Sequence, residues 1–284
     1  MKISSAKSSY ALTKVSEETR PWKVSSLTAT KFGLFAGTFN GESRHDSRLY
    51  LDGKLIYEGN DETIGQGLVF GDYVGFAGEN GNLLTFHEGQ ITRGIPLKFA
   101  THIGMFKGIP YVFDSHEGII HPINCLTGKQ GFSMPGSGIV MQSLCERDNI
   151  YVASCDADQG NCGVSGSDGT FIRIKDCLCL VKFLNHIFCS SGNKVLEWNG
   201  TGFTFAAEFP CEKIMHMHVN DKLWIAGSGP DSLWVYDGYE LQEVVRFPYD
   251  APVSGSLFRT RVTDGYFARC RGGNTAELYK IGIG

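Results

Sequence analysis

Side chains able to do chemistry gather in three short polar segments of this 284-residue chain. The first reads Asn40-Gly41-Glu42-Ser43-Arg44-His45-Asp46. Arg44, His45 and Asp46 would suit an anionic or sugar-like ligand. A guanidinium donates in a fixed fork, an imidazole titrates near neutrality, and a carboxylate accepts. The second, Asp114-Ser115-His116-Glu117, sets a histidine between two carboxylates, Asp114 and Glu117. That set serves general acid–base work or metal ligation. The third runs from Cys155 through Asp156 and Asp158 to Cys162. Alternating carboxylates at Asp156 and Asp158 resemble a calcium loop, where successive oxygens ligate a hard cation, although the distal bidentate Glu of an EF-hand is missing. Cys155 and Cys162 flank a hairpin and would bond across it in an oxidising setting. The plainer reading of each segment is a solvated turn.

Other reactive residues read as structural. Cys177-x-Cys179, followed by Cys189 and Cys211, has no second Cys pair at zinc-finger spacing, so core thiols are the simpler expectation. His216 and His218 share one parity of a strand, where they would line a pore or sit as satisfied structural histidines. Gly163-Val164-Ser165-Gly166 is no nucleophile elbow. Neither a P-loop nor a dinucleotide fingerprint occurs. No catalytic residue is therefore assigned and no cofactor is expected, with calcium the alternative.

The elements that must hold these segments are short strands joined by tight turns. One turn series reads Leu51-Asp52-Gly53, His87-Glu88-Gly89, Leu126-Thr127-Gly128, Ser167-Asp168-Gly169, Trp198-Asn199-Gly200 and Tyr236-Asp237-Gly238. Its period of roughly 38 residues falls in the range of repeat architectures built from four-stranded blades. A second series interleaves with it, at Phe70-Gly71-Asp72, Phe106-Lys107-Gly108, Arg147-Asp148-Asn149, Leu184-Asn185-His186, Val219-Asn220-Asp221 and Thr263-Asp264-Gly265. Asn, Asp and Gly tolerate the positive φ of hairpin turns. Between the turns lie β-branched and aromatic runs such as Tyr73–Ala77, Leu223–Gly227, Ser47–Leu51, Lys194–Trp198 and Ser232–Tyr236.

Composition agrees. Glycine at 36 residues against 9 prolines fits many tight turns rather than disorder. A net charge of -4 argues against a nucleic-acid partner. No apolar run approaches the length of a membrane span, and Met1 to Arg20 lacks the apolar core of a secretory signal. A cytoplasmic or particle-associated protein with reduced thiols is expected.

These units read as one all-β domain over residues 1–284, a seven-bladed β-propeller of four-stranded blades. The blades fall at about 22–60, 61–98, 99–138, 139–177, 178–214 and 215–252, with a last one formed by 253–284 plus residues 10–15. That N-terminal strand would close the ring and remove a free edge. Six blades with an N-terminal extension is the alternative. The pattern resembles the broad kelch and WD40-like propellers, without the Gly-His and Trp-Asp pair of the latter. The resemblance implies a face of loops between second and third strands that meets partners. The functional expectation is a non-enzymatic protein-interaction or structural scaffold with a protein partner. An oligomer or a larger assembly, such as a phage tail-like viral particle, would be its setting. Phe209-Pro210 and Phe247-Pro248-Tyr249 are the candidate apolar patches. The alternative is a glycan- or small-ligand-binding propeller, or a glycan-active enzyme with paired carboxylates at roughly 5 to 9 Å.

Overall fold

A computed structural model describes residues 1–3, 9–19, 22–40, 46–60, 63–78, 83–94, 100–114, 119–122, 132–133, 139–156, 161–249, 260–272 and 275–283. The chain is an all-β propeller of four-stranded blades. Local turn chemistry makes the hairpins. Asp52-Gly53, Glu88-Gly89 and Lys107-Gly108 each place both residues at positive φ. This is the turn whose twist matches that of the flanking strands.

Among the described residues the strands form seven sheets, six with four strands and one with five. The first sheet holds Trp22–Thr30, Gly33–Asn40, Ser47–Leu51 and Lys54–Gly59. The second begins at Leu68–Phe70 and ends at Gln90–Arg93, and the third runs from Ala100–Phe106 to Phe132–Ser133. The fourth starts at Ile139–Glu146, the fifth at Leu180–Phe183 and the sixth at Lys213–Val219. The seventh comprises Thr260–Thr263, Tyr266–Arg271, Thr275–Ile283 and, antiparallel to this last strand, Tyr10–Thr19.

Each sheet packs on the next. Phe35 and Leu49 meet Val74 and Phe76 between the first and second sheets. Ala77 and Leu83 meet Ile103 and Val112 between the second and third. Phe113 meets Val152, Ala153 meets Leu180, and Phe183 meets Ile225 in the next three interfaces. Trp224 meets Phe267 between the sixth and seventh, and Ala268 and Ala276 meet Val24 and Leu27 of the first. Second strands are sandwiched on both faces, so Leu223–Ser228 is buried throughout. The outermost strand Lys54–Gly59 faces water and is mostly exposed or half-buried. Complete burial of a Phe such as Phe35 or Phe76 contributes about 2–3 kcal/mol.

Two features depart from the sequence reading. Innermost strands of the first, third, fourth and sixth sheets each carry a bulge, after Val24, Ala100, Val140 and Ile214. One extra residue leaves the ladder at each, which bends the strand and changes the side chain's aim beyond it. In addition, Lys2–Ile3 pairs in parallel with Glu240–Leu241 and adds a fifth strand to the outer edge of the sixth sheet.

Candidate functional site

The three polar segments are only partly within the described residues. Arg44, His45, His116, Glu117 and Asp158 lie outside them. Asp46 is exposed, and its carboxylate accepts from Asn40 Nδ2 at 3.4 Å. Asp114 is buried at the end of its strand, opposite Ala100 and Ile119. Asp156 ends a strand of the fourth sheet, opposite Asn161. These three carboxylates thus belong to the first, third and fourth sheets, and Asp46 and Asp114 differ in exposure.

Cys155 and Cys162 are directly opposed, with Cα atoms 4.0 Å apart, and are joined by a disulfide. This corrects the expectation of reduced thiols at that hairpin. Of the remaining described cysteines Cys145 is exposed, whereas Cys177, Cys179, Cys189, Cys211 and Cys270 are buried, as expected of core thiols. Cys177 and Cys189 pack between the fourth and fifth sheets, and Cys179 and Cys211 between the fifth and sixth. Burial pushes the Cys179 and Cys211 thiols up to about 12, far from a reactive thiolate.

The innermost strands converge on buried polar side chains. Arg261 donates Nε–H to Ser25 O at 3.1 Å, and Nη1 to Thr260 O at 3.0 Å and Met215 O at 3.4 Å. Its guanidinium therefore ties the seventh sheet to the first and the sixth. Burial lowers it to about 10, so it stays charged at neutral pH. Gln142 accepts from Leu180 N at 3.2 Å and donates to Met217 O at 2.6 Å, linking the fourth sheet to the fifth and sixth. His216 Nδ1 accepts from Val262 N at 3.4 Å, which assigns the ring proton to Nε2. His102 pairs with Ser143 at 2.9 Å. Burial holds His102 down at about 4, while burial and then the charge of Arg261 hold His216 well below its usual value. Both rings are neutral, so neither supplies a proton at physiological pH. His218 diverges from His216 and bonds Asp264 at 2.8 Å in a surface turn. The bulges make this arrangement, because Gln142 and His216 each follow one directly. It ties neighbouring sheets together through buried hydrogen bonds. Replacing Arg261 with Met is expected to destabilise the fold by about 3 kcal/mol, since three carbonyls lose a buried charged donor. Denaturant titration of R261M against the unaltered chain measures this.

The expected apolar patches are largely filled. Phe209 is buried edge-on against Trp234 at 5.5 Å. Phe247 lies under the Arg269 guanidinium at 3.8 Å and stacks on Phe267. Pro210, Pro248 and Tyr249 are exposed, and the Tyr249 hydroxyl donates to Glu212 at 3.0 Å.

A different patch stands on the opposite, hairpin-turn face, at the border of the fifth and sixth sheets. Leu184 is 59% exposed and occupies a left-handed turn position, φ 48°, followed by Asn185 at 65°. Leucine is costly there, and Asn or Gly is the usual occupant. The close approach of Leu184 to Gly238, where a Cβ would lie 2.5 Å from Leu184 Cδ1, joins it to Tyr239. Tyr239 is 84% exposed, and Asp237 presents it by accepting from the Tyr239 and Glu240 amides at 2.8 and 2.9 Å. Phe183 and Tyr236, edge-on at 5.9 Å, support the patch from below. The turn series contained this site, because a Leu among its Asn, Asp and Gly positions was visible at Leu184-Asn185-His186.

No family model matches the chain, and no curated protein matches its sequence. Solved structures are similar in fold. A chain of the mitotic checkpoint complex superposes with a TM-score of 0.61 at 9% identity, covering 99% of this chain and 94% of that one. BBS1N, solved in complex with ARL6DN, gives 0.59 at 12% identity with 97% of each chain covered. The computationally designed Ika8 protein gives 0.52 at 11% identity, covering 93% of this chain and 98% of that one. At these identities the likeness is one of fold. What this chain is similar to is a set of β-propellers, and that is the class the comparisons establish.

Proposed function

We propose that this propeller is a non-enzymatic interaction scaffold that docks a protein partner on its hairpin-turn face, with Leu184 as the anchor. The observation that carries the reading is an exposed leucine held in a left-handed turn beside an 84% exposed tyrosine. Backbone strain at the surface, kept where Asn would relieve it, argues for selection on what that side chain touches. Apolar and aromatic anchors of this kind dominate interface energetics. Two of the similar propellers, BBS1N and the mitotic checkpoint chain, were solved within protein complexes, which supports the class of function. The seven sheets would serve as seven blades, with Tyr10–Thr19 closing the ring. A place in a larger particle would use the same patch.

Leu184→Asn separates function from folding. Asn suits the turn, so the melting temperature should hold or rise by about 2–4 °C for ~1 kcal/mol. Partner capture should fall at least tenfold. Affinity capture with the wild-type and L184N chains side by side, each checked by thermal unfolding, reads both effects. Identical partner sets retained by both chains would sink the reading.

A further inference from the structure

A concave surface lies between the fourth and fifth sheets and borders the Leu184 turn at Asn185 and His186. It is a cleft of about 580 Å³, within the size range of small-ligand pockets. Its walls combine three aromatic rings, Tyr151, Trp198 and Phe203, with the polar side chains of Asn149, Asn185 and Asp168. Trp198 and Phe203 meet edge-on at 5.2 Å, which fixes both rings against each other. Asp168 is equally fixed: it accepts from Thr170 N at 3.0 Å and from the Tyr151 hydroxyl at 2.9 Å. His186, also in the lining, has Nδ1 held by Glu197 at 2.5 Å, which leaves its other ring nitrogen for a ligand.

From this arrangement we infer a saccharide-binding site. A sugar ring offers an apolar C–H face and a rim of hydroxyls that both donate and accept. Aromatic faces carry the negative side of the ring quadrupole and suit the former. Amide side chains have both donors and an acceptor, and a carboxylate accepts, which suits the latter. The charges of the lining argue against a strongly charged ligand. Glu146 is engaged by Lys182 at 2.6 Å, and exposed Arg147 stands at the same cleft as Asp168. A cation would meet Arg147 and an anion would meet Asp168, whereas a polyol uses both. This inference is distinct from the protein-docking reading, because the cleft is built on Tyr151, Asp168, Trp198 and Phe203 and touches the Leu184 turn only through Asn185 and His186.

Trp198 makes the test specific. The chain has four tryptophans, and Trp22, Trp224 and Trp234 are buried. Only Trp198 faces a ligand cleft, so its fluorescence reports occupancy. A glycan array of neutral and uronate-bearing oligosaccharides would pick the probe, followed by fluorescence titration and calorimetry with the best one. The expected result is a saturable shift in emission with a Kd of about 1 mM or tighter. Asp168→Ala should weaken binding tenfold or more by calorimetry, and so should Asn185→Ala, which leaves the Thr170 and Tyr151 bonds intact. Both variants should melt like the parent chain or within a few degrees of it. No saturable binding across the array would overturn the assignment. So would binding unaffected by N185A and D168A, since the sugar would then sit elsewhere.

Discussion

A chain lacking residues 1–19 is expected to lose at least ~5 kcal/mol of stability, a fall of about 10–20 °C in melting temperature for a domain of this size, and to aggregate. The strand Tyr10–Thr19 pairs with Thr275–Ile283 in nine register pairs. It also reaches both neighbouring sheets. Tyr10 packs edge-on against Trp224 of the sixth sheet at 5.1 Å and accepts from Lys222 at 2.5 Å. Glu18 accepts from Tyr50 at 2.9 Å and Arg48 at 3.1 Å, both on the first sheet. Without the strand, Thr275–Ile283 becomes an open edge carrying Leu278 and Ile281. Long apolar edges recruit other chains. A synthetic peptide of residues 9–20 added in trans should restore a soluble monomer, because the lost contacts need no covalent link. Deleting residues 1–3 alone should cost far less, since Lys2–Ile3 contributes two register pairs on an edge already complete. Light scattering and thermal unfolding of both truncations decide the matter. An unchanged melting temperature after removal of residues 1–19 would mean that this strand adds little to the stability of the fold.

Glu277→Ala should be nearly as damaging, at about 3–5 kcal/mol, the usual effect of stripping one partner from a buried charge cluster. Glu277 is 2% exposed and sits at the meeting point of three chain segments. Arg269 donates Nε–H at 2.7 Å, Tyr279 its hydroxyl at 2.8 Å, and Lys14 its ammonium at 2.7 Å. Arg271 bridges the same carboxylate at 3.4 Å and Glu17 at 2.9 Å. Burial by itself would raise the carboxyl. The bonds from Lys14, Tyr279 and Arg269 outweigh it and hold the group at about 2. A depressed carboxyl stabilises the fold above its unfolded value near 4.5, and that contribution disappears as pH falls from there to about 2. The shift corresponds to at most ~3 kcal/mol at 1.36 kcal/mol per pH unit. Chemical denaturation of the parent chain should therefore show stability falling over that window. E277Q should flatten this limb while lowering stability at pH 7. Equal acid slopes in the two chains would show that other carboxylates carry the acid sensitivity.

Both effects depend on residues far apart in sequence, and this marks where sequence reading ends. The hairpins were legible because their causes are local. Asp52-Gly53 and Glu88-Gly89 satisfy a turn within four residues, and Ser47–Leu51, Lys194–Trp198 and Ser232–Tyr236 form as strands with the bounds their sequence implies. Tyr10–Val15 was legible as an orphan strand, although its true extent, to Thr19, required the facing Thr275–Ile283. The candidate sites were less so. Sequence grouped Asp46, Asp114 and Asp156 by residue type, but they stand on three sheets, and exposure separates Asp46 from Asp114. It also placed the apolar patch at Phe209 and Phe247, which the packing of Trp234 and Arg269 covers. The turn series contains Leu184, but its meeting with Tyr239 and the Trp198 cleft are not legible, because no local pattern says which neighbouring sheet a turn or strand face will meet.

By itself, then, the sequence determined the repeating turns, the strand segments between them and the propeller class, since turn conformation and period-2 burial are properties of a few adjacent residues. Only the tertiary structure decided the innermost bulges, the meeting of Gln142, His216 and Arg261, the ion cluster on Glu277, and which aromatic residues reach solvent. Those depend on register and on contacts between residues far apart in the chain, as in Lys14 with Glu277, which are separated by 263 positions. No local pattern encodes such a pairing, because its energy exists only once the sheets have packed.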